Sequence, residues 1–178
     1  MENHRRLFLA LWPNAAERAA LAAWQAPLHE LCGGKVIRPD ILHCTLVFLG
    51  EVAEQHVQTL CLAAREVVFH SFELDLTTAY FWGHNHIVYA APGAVPPALN
   101  ILVSNLECAL RKQRFRLEQR PYQPHVTLLR HALLSDAPLP VPPRVRWQIN
   151  DFALVQSLTD GQGARYDVLA RFAASALA

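Results

Sequence analysis

The apolar residues fall into blocks whose spacing names the elements. Leu7-Phe8-Leu9-Ala10-Leu11-Trp12 is an unbroken apolar run closed by Pro13. Such a run predicts a strand buried on both faces, over Arg5–Trp12. Asn14 is placed as an N-cap for an alanine-rich helix over about 15–31, which Gly33-Gly34 would end. Leu42–Gly50 is dense in apolar, β-prone residues and predicts a second strand; Glu54–Phe69 predicts a helix. Phe72–Thr77 alternates with period two, as a half-buried antiparallel strand does, and Gly83-His84-Asn85 turns it into a partner over His86–Ala91. A helix is expected from Pro97 to Gln113, with Pro96-Pro97 at its start. A strand follows over His125–His131, then a stiff surface connection through Pro138, Pro140, Pro142 and Pro143. Trp147–Leu158 and Arg165–Phe172 would close the chain as a hairpin around Asp160-Gly161.

This order echoes itself. Leu7 lies 36 residues before His43 and Ile87 lies 38 before His125, and each interval holds a strand, a helix, a loop and a strand opened by His. Two strand–helix–strand halves related by a pseudo-dyad account for the echo. The expected fold class is α+β, antiparallel-rich sheets with helices outside, as a single domain over residues 1–178 built of two interwoven lobes.

Composition narrows the function. The chain has 178 residues, 52% hydrophobic and 17% charged, which excludes long-range disorder. Its formal net charge of +1 excludes a globally basic nucleic-acid clamp, so any polyanion site must be local. No apolar run approaches the roughly 20 residues of a membrane helix. Cys32, Cys44, Cys61 and Cys108 form no CxxC pair, so free thiols in a reducing cytoplasm are expected rather than disulfides or a zinc knuckle.

The echo singles out His43-Cys44-Thr45-Leu46 and His125-Val126-Thr127-Leu128. This composition predicts only about 0.05 chance HxTL words, so two are a strong signal. Side chains alternate along a strand, so each word presents an imidazole and a hydroxyl on one face. A pseudo-dyad would bring two imidazoles and two hydroxyls face to face across a cleft. In-line displacement at phosphorus needs a base on one side and an acid on the other, and an imidazole with pKa near 6.5 serves either role. The hydroxyls can donate to non-bridging oxygens, and no metal is required.

With these words in place the chain resembles the RNA 2′,3′-cyclic phosphodiesterases (2′-5′ RNA ligase family) of the two-histidine phosphoesterase superfamily. The resemblance covers essentially the whole chain. It takes in Arg6-Leu7-Phe8-Leu9-Ala10, then Leu42 to Glu51 with the first word, then Arg120-Pro121-Tyr122-Gln123-Pro124 ahead of the second, and Ser157 before a turn to Arg165-Tyr166. It implies a bilobal α+β fold with both words lining a central cleft. It implies hydrolysis of an RNA-terminal 2′,3′-cyclic phosphate to a 2′-phosphomonoester, without metal or other cofactor. By this similarity His125 is the proton acceptor that activates water, His43 is the proton donor to the departing 3′ oxygen, and Thr45 and Thr127 hold the phosphoryl oxygens. From the residues alone the two histidine roles are interchangeable. Ligation of 2′-5′ RNA ends would use the same groups in reverse. The implied partner is RNA with a cyclic phosphate or 2′-5′ end, with no membrane and no obligate protein partner. Two other readings stay open: a non-catalytic RNA 3′-end-binding module, and a relative acting on another cyclic phosphate.

Several further residues are weighed. Arg130 could bind phosphate, but strict alternation puts it on the face opposite His125 and Thr127, so it needs a bulge, a strand end or a twist to reach the cleft. Arg111, Lys112, Arg114, Arg116 and Arg120 form either a landing strip for an RNA backbone or a solvated helix C-terminus. His84 and His86 have metal-ligand spacing without a third ligand nearby and read as a turn pair. His131 falls on the His125 face of a regular strand, distal to the chemistry. His29, His56 and His70 read as surface residues of helices. Phe81 and Trp82, at a loop tip, are placed by burial or by base stacking.

Overall fold

The computed structural model describes residues 3–133, 138–161 and 163–176. Strand β1 spans His4–Leu11, and its apolar half is fully buried. Asn14 caps helix α1 (Ala15–Ala22) through a capping box with Glu17, each side chain bonding the other's backbone N–H at 2.9 Å. The single helix expected over 15–31 is in fact two, because α2 starts afresh at Gln25 and runs to Cys32. Pro27 supplies the reason: in a continuous helix its ring would clash with the Ala23 carbonyl and offer it no N–H, whereas in a first turn it is harmless. Gly33, at φ 60, then ends α2 as expected.

Strand β2 (Lys35–Val36) and a 3₁₀ turn over Pro39–Ile41 lead into β3 (Cys44–Ala53). A second 3₁₀ turn, Glu54–His56, opens α3 (Val57–Arg65), which stops four residues short of the expected end. The β-branched pair Val67-Val68 lowers helix propensity, and the Ser175 N–H bonds the Phe69 carbonyl, drawing His70 into a bridge with Ser175. β4 (Phe72–Trp82) and β5 (Ile87–Pro92) form the expected hairpin, with Trp82 inside the strand rather than at a loop tip. α4 (Pro97–Lys112) buries Leu99, Leu102, Val103, Leu106 and Leu110 on one stripe. β6 (Val126–Arg130), β7 (Val145–Ile149), β8 (Asp151–Asp160) and β9 (Gly163–Ala173) complete the chain. The segment from Pro138 to Pro143 carries no regular element, and the Pro143 carbonyl accepts from Trp24 Nε1 at 2.9 Å.

All named strand pairs are antiparallel, in the order β7-β4-β5-β6-β3-β1-β8-β9, with β2 added to β6. One expectation fails here. Trp147–Leu158 is not one strand, because Asn150 divides β7, paired with β4, from β8, paired with β1. Six strand steps at ~4.8 Å would put those two strands roughly 29 Å apart in a flat sheet, far beyond the reach of one residue. The sheet must therefore curl until its ends approach, and the result is a mixed α+β fold with a curled antiparallel half-barrel sheet. Curling leaves a concavity at the middle of the order, where β6 and β3 meet.

Candidate active site

β3 and β6 touch at one pair only, Cys44 with Val126, the second residue of each HxTL word. Extended by one residue each way, the antiparallel register sets His43 against Thr127 and Thr45 against His125. The imidazoles thus occupy diagonal positions, roughly 7–8 Å apart at their origins, spacing that leaves room for a phosphoryl group between them. Cys44 and Val126 point the other way and are fully buried, Cys44 against the Tyr122 hydroxyl at 3.7 Å. Burial pushes the Cys44 thiol up to about 11, so it stays protonated and takes the role of a packed apolar group. The Tyr122 hydroxyl also donates to the Thr45 carbonyl at 3.3 Å, tying the loop ahead of the second word to the backbone of the first.

Both rings are oriented by the same device. His43 Nδ1 lies 2.7 Å from the Ile41 carbonyl and His125 Nδ1 lies 2.8 Å from the Gln123 carbonyl, in each case two residues back. A carbonyl can only accept, so Nδ1 carries the proton and Nε2 is the acceptor of each neutral ring. His43 Nε2 lies 3.1 Å from Thr45 Oγ1, which donates to it. Burial pushes His43 down to about 4, with the charges of His125 and Arg130 adding to the effect and the Ile41 carbonyl opposing it. His125 is lowered too, by burial first, then by Arg130 and Arg120, against the Gln123 carbonyl. In the ligand-free protein both rings are therefore neutral at pH 7.

Aromatic rings surround both histidines. Phe8, Trp12 and Tyr166 pack on His43 with centroids at 5.0, 5.6 and 5.3 Å, the Trp12 ring stacked within 18° of parallel. Trp82 and Tyr89 meet His125 edge to face at 4.7 and 5.7 Å.

A bulge delivers Arg130 to the same place. Tyr89 pairs with Thr127 but Val88 pairs with Leu129, so Leu128 is an extra residue in β6. Leu128 and Leu129 are both fully buried, the alternation resets, and Arg130 emerges on the face of His125 and Thr127. β3 does the same after its own word: Ala10 pairs with Thr45 and Leu9 with Val47, leaving Leu46 extra and returning Phe48 to the cleft. Buried Gln25 holds the β6 bulge, its Nε2 donating to the Leu128 carbonyl at 3.0 Å and to the Ile37 carbonyl at 2.7 Å. Gly34 makes the approach of β2 possible, since a Cβ there would fall 2.5 Å from the Arg130 carbonyl oxygen.

The cleft so formed encloses about 670 Å³ and is lined by His43, Thr45, His125, Thr127 and Arg130, with Arg6, Lys35, Arg38, Phe48 and Tyr166 among the walls. Among the described residues four cations line it and no carboxylate does, although Arg38 also pairs with Asp40, so a chain of formal charge +1 carries a locally basic cleft. His131, expected to lie distal, also lines the cleft, because the chain leaves β6 there with φ 54. Sequence reasoning missed Arg6, Lys35 and Arg38, which stand on separate elements and share no spacing. The guanidinium of Arg6 sits 4.9 Å above the Phe48 ring.

The basic run past α4 does not line the cleft. Arg111, in the last turn of α4, pairs with Glu107, which fits the solvated helix end, whereas Arg120 lies beyond the helix, pairs with Glu118 and acts on His125 by its charge. His84 and His86 lie in the β4–β5 turn, against Trp82 and Phe81. Among the described residues no group of three or more His, Cys, Asp or Glu could hold a metal ion. His29 on α2, His56 in the 3₁₀ helix ahead of α3 and His70 are all exposed as expected, but His70 lies in the bridge with Ser175 and not on a helix. All four cysteines are free, and no helix among the described residues is long and apolar enough to cross a membrane.

Known proteins resemble both the chain and its fold. Residues 11–89 match the family described as LigT like phosphoesterase. The RNA 2′,3′-cyclic phosphodiesterase of Escherichia coli (strain K12) is 31% identical over 175 residues, 97% of this chain and 98% of that one. The RNA 2′,3′-cyclic phosphodiesterase of Thermus thermophilus is 33% identical over 176 residues, 94% and 89% of the two chains. The crystal structure of E. coli LigT complexed with 3′-AMP superposes with a TM-score of 0.88 at 29% identity, over 98% of this chain and all of that one.

Proposed function

The chain belongs to the LigT-like phosphoesterase family, and from that premise we propose that it hydrolyses RNA-terminal 2′,3′-cyclic phosphates to 2′-phosphomonoesters, with residues 1–178 acting as one domain of two pseudo-symmetric lobes. The observation that carries the reading is the matched pair of imidazoles. Each has Nδ1 fixed on a carbonyl two residues back, Nε2 left as the acceptor, and a place in a carboxylate-free basic cleft.

The steps balance with these groups alone. The cyclic phosphate anion is held by Arg130 and by the hydroxyls of Thr45 and Thr127. Water attacks phosphorus while His125 Nε2 takes its proton. The bond from phosphorus to the 3′ oxygen breaks in line, and His43, as imidazolium, protonates that oxygen. The 2′-phosphomonoester departs, and the two rings exchange one proton with solvent to reset. Two features support His43 as the donor: the stacked Trp12 face favours its cationic form, and Thr45 can receive its Nε2–H until the leaving oxygen arrives.

The test is an oligoribonucleotide ending in a 2′,3′-cyclic phosphate, incubated with the protein in excess EDTA, with the product identified by ³¹P NMR. A 2′-phosphate is the expected product, and His43→Ala or His125→Ala should each cost about 10²–10⁴ in rate. A 3′-phosphate would reverse the regiochemistry. Binding without turnover by a folded protein would favour the RNA-end-binding module. Turnover confined to small cyclic nucleotides would favour a different cyclic phosphate, and joined strands the ligation direction.

A further inference from the structure

Beyond the cleft, the sheet face that carries His125 continues into a row of aromatic rings. The register pairs Thr127 with Tyr89 and Tyr89 with Tyr80, so all three project from one face across β6, β5 and β4. Trp82 joins them two residues along β4, its ring 4.1 Å from Tyr89 and 4.7 Å from His125. Tyr80 stacks on Tyr89 at 5.6 Å within 27° of parallel and stays 44% exposed. The opposite face of β4 holds the buried Leu74, Leu76 and Ala79, so the core has no need of these rings. With Tyr80 exposed and Trp82 and Tyr89 partly so, the contiguous row offers a surface for stacking flat π systems.

We propose that Tyr80, Trp82 and Tyr89 form a stacking platform for unpaired nucleobases of the RNA strand whose cyclic end lies in the cleft, a proposal that rests on the RNA-end reading above. Two observations choose this occupant. The platform is continuous with the cleft through the Trp82–His125 contact. The cleft, at about 670 Å³, is the size of a single small-ligand site, so a longer strand must leave it along a wall. The β4–β7 end of the same face is balanced in charge, Arg146 standing opposite Asp75, which pairs with Arg144.

Tyr80 is the residue to change, since it reaches the platform without touching His125. Tyr80→Ala should lower the ratio of kcat/KM on an oligonucleotide cyclic phosphate to that on a nucleoside 2′,3′-cyclic phosphate by about 5- to 100-fold. The loss should appear in KM rather than kcat, and Tyr80→Phe should restore the ratio. A ratio unchanged in Tyr80→Ala would overturn the platform. A second arm works without catalysis: fluorescence anisotropy of a 5′-labelled single-stranded octaribonucleotide should show Tyr80→Ala binding about 5- to 100-fold more weakly than Tyr80→Phe. Equal affinity would likewise refute the proposal. If the wild-type protein turned over neither substrate, the phosphodiesterase reading would fail, while this arm would still decide the platform.

Discussion

The state of His43 before and after an anion enters the cleft can be worked out from the structure. Free His43 is pushed down to about 4 by burial, so at pH 7 only about one ring in a thousand is imidazolium. A phosphoryl anion hydrogen-bonded to Nε2 puts a negative charge about 4 Å from the ring. At an effective dielectric of about 20 this is worth roughly 4 kcal/mol, or about 3 pKa units. The sign is upward, because an anion favours the charged form of an imidazole. His43 should therefore titrate near 4 in the free protein and near 7 with inorganic phosphate bound. In the proposed mechanism the substrate would thus bring the charge that arms its acid. Histidine ¹H–¹⁵N NMR titrations with and without saturating phosphate, assigned by the signal lost in His43→Asn, measure both values. Kinetics should agree: the basic limb of kcat, which reports the bound state, should lie well above that of kcat/KM, which reports the free protein. A free His43 that titrates at 6 or above, or a phosphate-induced rise of less than one unit, would refute this electrostatic account.

Three substitutions probe how the site is held. Gln25→Leu leaves the half-buried Ile37 carbonyl without its donor and takes one from the buried Leu128 carbonyl, and should cost about 1–3 kcal/mol in urea unfolding. Phosphate binding should weaken as well, because the same amide steadies the bulge that aims Arg130; unchanged stability and affinity would remove Gln25 from that role. Gly34→Ala places a methyl group against the Arg130 carbonyl at φ +84, and should cost about 2–4 kcal/mol from overpacking and left-handed strain together. A midpoint shift under about half a kcal/mol would show that β2 moves aside freely. Arg130→Gln should raise KM about 10- to 100-fold, the worth of a hydrogen bond to a charged group, and a KM within twofold of wild type would place the phosphate elsewhere.

Much of the fold could be read in the chain because each signal was local. The capping box at Asn14, the period-two run at Phe72 and the apolar stripe of α4 each act within a few residues. The break ahead of Pro27 was a local signal left unread, but the other failures among the elements are long-range. The end of α3 is set by Ser175 reaching Phe69, and the split at Asn150 by two partner strands far apart in the sheet order. The cleft histidines and threonines were legible because one short spacing occurs twice and strand alternation puts both its polar members on one face. Arg6, Lys35 and Arg38 were not, since a cation can reach an anion from any element and leaves no period behind.

The placement of Arg130 falls between these cases, and the signal that settles it lies in the chain. A regular half-buried strand alternates, yet each word ends on an apolar residue that a second one follows at once: Leu46-Val47 in the first, Leu128-Leu129 in the second. An apolar doublet in such a strand either exposes one member or takes an extra residue, and burying that second member is worth about 1.5–3 kcal/mol against the one or two ladder bonds lost at a bulge. The bulge wins in both strands, and both doublets are buried. The sixth residue, counted from each histidine, is thereby switched to the cleft face, where one half sets Phe48 beneath Arg6 and the other sets Arg130. The same backbone device thus yields an aromatic wall on one side and a cation on the other. That difference breaks the near-symmetry of the imidazole pair, with an aromatic wall after one histidine and a guanidinium after the other.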